Sequence, residues 1–188
     1  MPYQKTEIDG VFLFIPKIFE DSRGVFYESF GSKPTLAETN LEFKVAQVNT
    51  SMSSRGVIRG VHFKESPPGQ KKFVSVVSGG IIDVAVDLRR SSTTFRKWQA
   101  FELNEYNRHS LLLGNGIGHA FLALRDETRV TYLCDTSFEP EKEHAINPLT
   151  AGICWEKLGT GFGRGEFLLS DKDRNAPNLS DDQWPDFA

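Results

Sequence analysis

Apolar residues fall along this chain in short runs separated by glycine, proline and polar turns, and several runs alternate apolar with polar positions. A period of two belongs to half-buried strands rather than helices. Strands are predicted over 11–15, 24–30, 44–51, 57–63, 72–77, 81–88, 98–103, 110–113, 119–124 and 129–134. One short helix is predicted over 32–39, with Ser32 as its cap and Pro34 in its first turn. Gly79-Gly80 between two apolar runs predicts a hairpin. From Asp171 onward the chain is polar and acidic, so 171–188 is expected to wrap the surface as a tail with one short helical turn. Many short strands and few helices predict a mainly β fold, either a sandwich or a barrel. No repeat or linker divides the chain, and residues 1–188 are expected to form one domain.

Composition excludes more than it adds. The net charge of −3 and the lack of a basic stripe argue against a nucleic-acid polymer as partner. No apolar run is long enough for a membrane span, and the polar start lacks a signal-peptide core. Cys134 and Cys154 are too few for a disulfide framework and lack metal-type spacing. A cytoplasmic, reduced protein is expected.

The candidate chemistry centres on Arg55-Gly56-Val57-Ile58-Arg59-Gly60-Val61-His62-Phe63. Guanidinium groups hold phosphates in a bidentate way, and an imidazole takes a proton near neutral pH. Arg59 and His62 are an odd number of residues apart, so regular alternation puts them on opposite faces; sharing a site requires a bulge near Gly60. The same parity lets Gln47 and Asn49 face one way, as do Lys72 with Val74 and Val76, His119 with Phe121, and Tyr132 with Val130 and Cys134. Each signal has an ordinary reading as well. Lys71-Lys72 suits a solvated turn, Tyr132 suits a core, and His109 and His144 suit strand ends. Metal binding is the rival chemistry for a small β-barrel, but Lys64 stands two residues after His62, leaving only His62, His119 and Glu65 scattered. No nucleophile elbow or phosphate-binding loop is present, and Gly114 to Gly118 suits a tight turn.

A series of short motifs follows in order: Asp21-Ser22-Arg23-Gly24 with Phe26 and Glu28; Gln47-Val48-Asn49; the segment from Arg55 to Phe63; Pro67-Pro68-Gly69-Gln70-Lys71-Lys72; and Asp83 to Arg89. Gly116-Ile117-Gly118-His119-Ala120-Phe121, Tyr132-Leu133-Cys134, Glu143-His144 and Leu169-Ser170-Asp171-Lys172-Asp173 complete it. From about Gly10 to Pro177 this resembles the dTDP-4-dehydrorhamnose 3,5-epimerase family of cupin-fold sugar-nucleotide epimerases. The resemblance implies a cupin or jelly-roll β fold and a dTDP-4-keto-6-deoxyhexose substrate, with no metal and no other cofactor. It implies His62 as general base, Asp173 as the carboxylate that orients it, Lys72 beside the developing C4 oxyanion and Tyr132 as the acid.

It further implies substrate or nucleotide contacts from Arg23, Phe26, Glu28, Gln47, Asn49, Arg59, His119, Phe138, Glu143 and Lys172. A homodimer is implied in which the N-terminal strand region joins the neighbour's sheet, so that Arg23, Phe26 and Glu28 complete the other subunit's site. Inversion at C3 and C5 is the first expectation. A C3-only epimerase of a specialised deoxysugar pathway is the alternative, and a non-catalytic or metal-binding cupin is the reading from another class. The chain departs from the family pattern at Lys64, often glutamine, at Ser75 and Ser78, arginine in some members, and at Phe138, often tyrosine. The two serines are expected to thin the positive surface near the phosphates.

Overall fold

A computed structural model describes residues 2–159, 161–162, 167–181 and 187. In chain order the strands are β1 (Tyr3–Lys5), β2 (Val11–Phe14), β3 (Ile18–Asp21), β4 (Gly24–Tyr27), β5 (Gln47–Ser53), β6 (Ile58–Lys64), β7 (Lys72–Ser78) and β8 (Gly80–Asp87). They continue with β9 (Trp98–Asn104), β10 (Ser110–Leu113), β11 (Ile117–Ala123), β12 (Thr128–Cys134) and β13 (Glu143–Ala145). The helices are α1 (Ser32–Thr39), α2 (Trp155–Leu158) and α3 (Asp171–Arg174). The mainly β expectation holds. None of the described helices is long and apolar enough to cross a membrane.

Two antiparallel sheets face each other, one of six strands in the order β1-β2-β10-β7-β12-β5, the other of five in the order β13-β6-β11-β8-β9. Between them lies a core that includes Val74, Val76, Ile81, Ala85, Leu111, Leu113, Ile117, Phe121 and Val130. Each sheet is also covered on its outer face. Phe12, Phe14, Phe73 and Leu112 pack outward with Tyr3 and Phe43, while Ile82, Val84, Val86, Ala120 and Leu122 pack with Ile153, Trp155, Leu179 and Phe187. Burial on both faces explains why β8 is apolar almost throughout instead of alternating.

Three local expectations are corrected. Gly79 joins β7 to β8, but these strands lie in different sheets, so the predicted hairpin is a crossover from one sheet to the other. Gly79 sits at φ +83, and a Cβ there would lie 2.4 Å from the Thr128 hydroxyl, so glycine is required by conformation and space at a crossing instead of a tight turn. Helix α1 follows an N-cap at Gly31 with no side-chain cap, so Ser32 is its first residue instead of its cap. The tail from Asp171 does not merely wrap the surface: Asp173 is buried, and Leu179 and Phe187 join the core. Residues 182–186 and 188 of that tail lie outside the described residues.

Strands β3 and β4 pair only with each other among the described residues, forming a separate two-stranded ribbon. Its Phe19, Val25 and Phe26 are exposed.

Candidate active site

The site forms between the sheets at one end of the sandwich, in a cavity of about 230 Å³. The required bulge is present in β6. Its pairing with β11 matches His62 with His119 but Arg59 with Phe121, so three steps on β6 oppose two on β11. Gly60, at φ +117, occupies the irregularity; a Cβ there would lie 2.4 Å from the His119 carbonyl oxygen and 2.7 Å from Ala120 Cα. Arg59 and His62 therefore both line the cavity despite their odd spacing.

Regular parity supplies the rest. From β5 come Gln47 and Asn49, from β7 Lys72, from β11 His119 and Phe121, and from β12 Tyr132 and Cys134. Phe138, Glu143 and Lys172 complete the predicted lining. Base and acid candidates thus come from opposite sheets: His62 from the five-stranded one, Tyr132 and Lys72 from the six-stranded one.

Asp173 reaches His62 from the far end of the sequence because Ser170 caps α3, accepting the Asp173 N–H at 3.1 Å and orienting the turn. The carboxylate then meets His62 Nε2 at 2.6 Å and the Gly60 N–H at 3.5 Å. A carboxylate accepts, so Nε2 carries the proton and Nδ1 keeps the basic lone pair. Burial pushes the Asp173 carboxyl up, but the His62 hydrogen bond and charge, with help from Gly60 and Ser170, hold it below the usual carboxylate range.

Lys72 is buried, with Nζ 3.4 Å from the His62 carbonyl oxygen. Burial lowers its pKa, against the opposing pull of Cys134, Glu143 and Asp83, which makes its ammonium a readier hydrogen-bond and proton donor. Tyr132 bonds the Ser51 hydroxyl at 3.1 Å, and its ring meets His119 edge-on at 5.8 Å. Burial raises its pKa strongly, so the phenol stays protonated at neutral pH. His119 bonds Asp83 in a second histidine–carboxylate pair, this one buried on both sides. Arg59 donates to the Ser53 hydroxyl at 3.0 Å and to the Met52 carbonyl at 3.2 Å.

The structure also separates some residues from the site. Arg23, Phe26 and Glu28 do not line the cavity of their own chain; Arg23 is on the exposed ribbon, paired with Asp21 at 2.6 Å. Arg55 lies over the Phe162 ring at 4.0 Å and donates to the Gly161 carbonyl, a staple for the segment that follows α2. Ser75 is one residue out of phase with Val74 and Val76 and bonds Ser110, and neither it nor Ser78 lines this cavity.

Sequence reasoning missed Gln70, Phe121, Cys134 and His144 as lining residues. Phe121 and Cys134 were legible by parity, two positions after His119 and Tyr132. His144, read as an ordinary strand-end residue, stacks on Phe63 and bonds Glu65 at 3.2 Å. Asp83 was signalled as a carboxylate in the middle of the apolar β8 run, which Asp87 ends.

The family model described as dTDP-4-dehydrorhamnose 3,5-epimerase matches residues 5–181. The chain belongs to this family. Among relatives, the dTDP-4-dehydrorhamnose 3,5-epimerase of Mycolicibacterium smegmatis is 40% identical over 183 residues, covering 97% of this chain and 88% of the relative. A dTDP-4-dehydro-6-deoxyglucose 3-epimerase from a Streptomyces species is 39% identical over 175 residues, covering 92% of this chain and 86% of its own. A dTDP-6-deoxy-D-glucose-3,5-epimerase from Legionella pneumophila, solved with dTDP-4-keto-L-rhamnose, superposes with a TM-score of 0.86 at 34% identity, covering 99% of this chain and 98% of that one. The epimerase family and the jelly-roll fold expected from the motifs therefore stand.

Proposed function

We propose that this protein is an isomerase converting dTDP-4-dehydro-6-deoxy-D-glucose to dTDP-4-dehydro-L-rhamnose by inversion at C3 and C5. The C4 ketone acidifies the neighbouring C–H bonds. His62 removes a proton from one face, and its imidazolium is stabilised by ionised Asp173. The electron pair moves onto the C4 oxygen as an enolate, which Lys72 stabilises with a preorganised charge in a buried setting. Tyr132 returns a proton from the other face, and exchange with solvent restores both groups. No redox change occurs, and the step balances without another reactant.

The observation that carries this reading is the meeting of a carboxylate-backed histidine on one sheet with a protonated, partly buried phenol on the other, beside a buried lysine. A non-catalytic cupin has no need for that convergence. Arg59 and Lys172 are the cavity's partners for the diphosphate, while Gln47, Asn49, His119, Phe138 and Glu143 contact sugar or nucleotide. The chain acts as one domain, residues 1–188, in a cytoplasmic homodimer. The β3–β4 ribbon crosses to the neighbour, covering its exposed apolar residues and bringing Arg23, Phe26 and Glu28 to that subunit's cavity. Among the described residues the ribbon pairs with neither sheet of its own chain, which supports this exchange.

The test is deuterium wash-in from heavy water into dTDP-4-keto-6-deoxyglucose, read by NMR. Label at C3 and C5 is expected. Label at C3 alone would replace the double inversion with the C3-only reaction, and no label from folded protein would refute the epimerase reading.

A further inference from the structure

The side chain of Lys64 has no exposed surface, yet its ammonium is not spent on the cavity. It donates to the Ser137 carbonyl and, at 2.6 Å, to Glu139 Oε1. These residues immediately precede and follow Phe138, an aromatic that lines the cavity while remaining 59% exposed. We propose that Lys64 is a positioning residue: it clamps the rim segment 135–142 from below and so fixes Phe138 against the aromatic end of the bound nucleotide. The assignment rests on the nucleotide-sugar reading above.

Lys64 lies two residues after His62, on the same face of β6, and its Cα pairs with that of Glu143 at the end of the rim segment. The strand that carries the base therefore also carries the clamp. A buried ammonium is costly unless its partners are in place, so the rim cannot lift without stranding the charge. Glu139 extends the clamp outward: its other oxygen binds Lys142 at 2.8 Å, and the two lysines together hold its pKa down at about 2. The segment thus keeps its ionic anchor across the neutral range. On the cavity side, Gln47 Oε1 accepts the Phe138 N–H at 2.8 Å, while Gln47 Nε2 donates to Asn49 at 2.8 Å. Phe138 is held through its backbone on both sides, and its ring, left uncovered, presents a flat apolar surface at the mouth. Such a face suits the planar base of a nucleotide.

A double-mutant cycle tests this, with dTDP as the probe and Kd from calorimetry. Lys64→Met keeps the apolar stem and removes the ammonium; it is expected to weaken dTDP binding about tenfold. In a Phe138→Ala background the same change is expected to cost less than about twofold, because the ring it positions is gone. Glu139→Gln, at the solvent side of the clamp, keeps the test alive if Lys64→Met fails to fold, and should show the same dependence on Phe138 at smaller size. Equal weakening in both backgrounds would reduce Lys64 to general structural support and overturn the proposal, as would unchanged binding. Failure of the parent protein to bind dTDP would instead remove the nucleotide reading, and this assignment with it.

Discussion

Replacing Asp173 with Asn tests the chemistry at the point where the structure is most specific. The substitution preserves shape and leaves an acceptor for the Gly60 N–H, so the fold should survive. What it removes is the charge facing His62 when the imidazole takes its second proton. The contacting atoms are 2.6 Å apart. With charge centres about 4 Å apart and an effective dielectric of about 20, the attraction is about 4 kcal/mol. The His62 side chain is 38% exposed, so solvent screens part of this. Halving the attraction leaves about 2 kcal/mol, roughly thirtyfold in rate. An asparagine can also donate its amide N–H to Nε2 and hold the wrong tautomer, which raises the expected loss in kcat to roughly a hundredfold or more.

The native carboxyl is held below the usual range, so it is ionised throughout the neutral region. Titration of this carboxyl should therefore add no pH dependence to the deficit between about pH 6 and 8. The assay is single-turnover deuterium wash-in at each carbon, with circular dichroism to establish folding. A folded variant that exchanges within about threefold of the parent would refute the role given to the carboxylate.

Lys72→Met should separate stability from activity: removal of a buried ammonium is expected to leave the thermal midpoint unchanged or raise it, while kcat falls roughly a hundredfold or more. A destabilised but active variant would contradict the account. Gly60→Ala forces a Cβ against the His119 carbonyl at φ +117, and should cost about 3 kcal/mol or more in urea unfolding. Asp87 is buried and accepts from Arg89, Ser92 and Thr94, bonds that outweigh burial and depress its pKa. Asp87→Asn should cost about 3 kcal/mol at pH 7. Because the folded-state pKa is the lower one, that stabilisation is complete above the unfolded value of about 4 and vanishes as pH falls through the folded value. The gap between parent and variant in urea should therefore close on acidification, and a gap that widens would reverse the sign of the argument.

Much of this arrangement was legible because strand parity is a strong constraint. Lys72, His119 and Tyr132 face the cavity as their spacing from apolar neighbours required. The limits are equally physical. Gly79-Gly80 carries the composition of a hairpin, but composition reports conformational freedom and does not say which sheet receives the next strand. Strands β1, β3 and β13 are only three or four residues long, so they lack a periodic signal and owe their order to pairing partners. The reach of Asp173 to His62 spans 111 positions and depends on how the tail packs, which local pattern cannot encode. The motifs supplied that pairing through resemblance, while the Lys64 clamp had no motif to announce it.

The irregularity at Gly60 has one more consequence. Before it, Ile58 points into the outer apolar layer; after it, Val61 and Phe63 do. The even-numbered positions thus exchange sides within a single strand. The site is consequently protected by a count as well as by contacts. Regular pairing of all these residues, with none left over, would send His62 and Lys64 toward the layer that holds Trp155, with Phe63 turned into the cavity. Many substitutions along β6 need only fit their surroundings. One residue inserted between Arg59 and His62 would have to be matched by one in β11, and a deletion beyond His62 would turn the positions after it, so the segment should tolerate variation in side chains better than such changes of length.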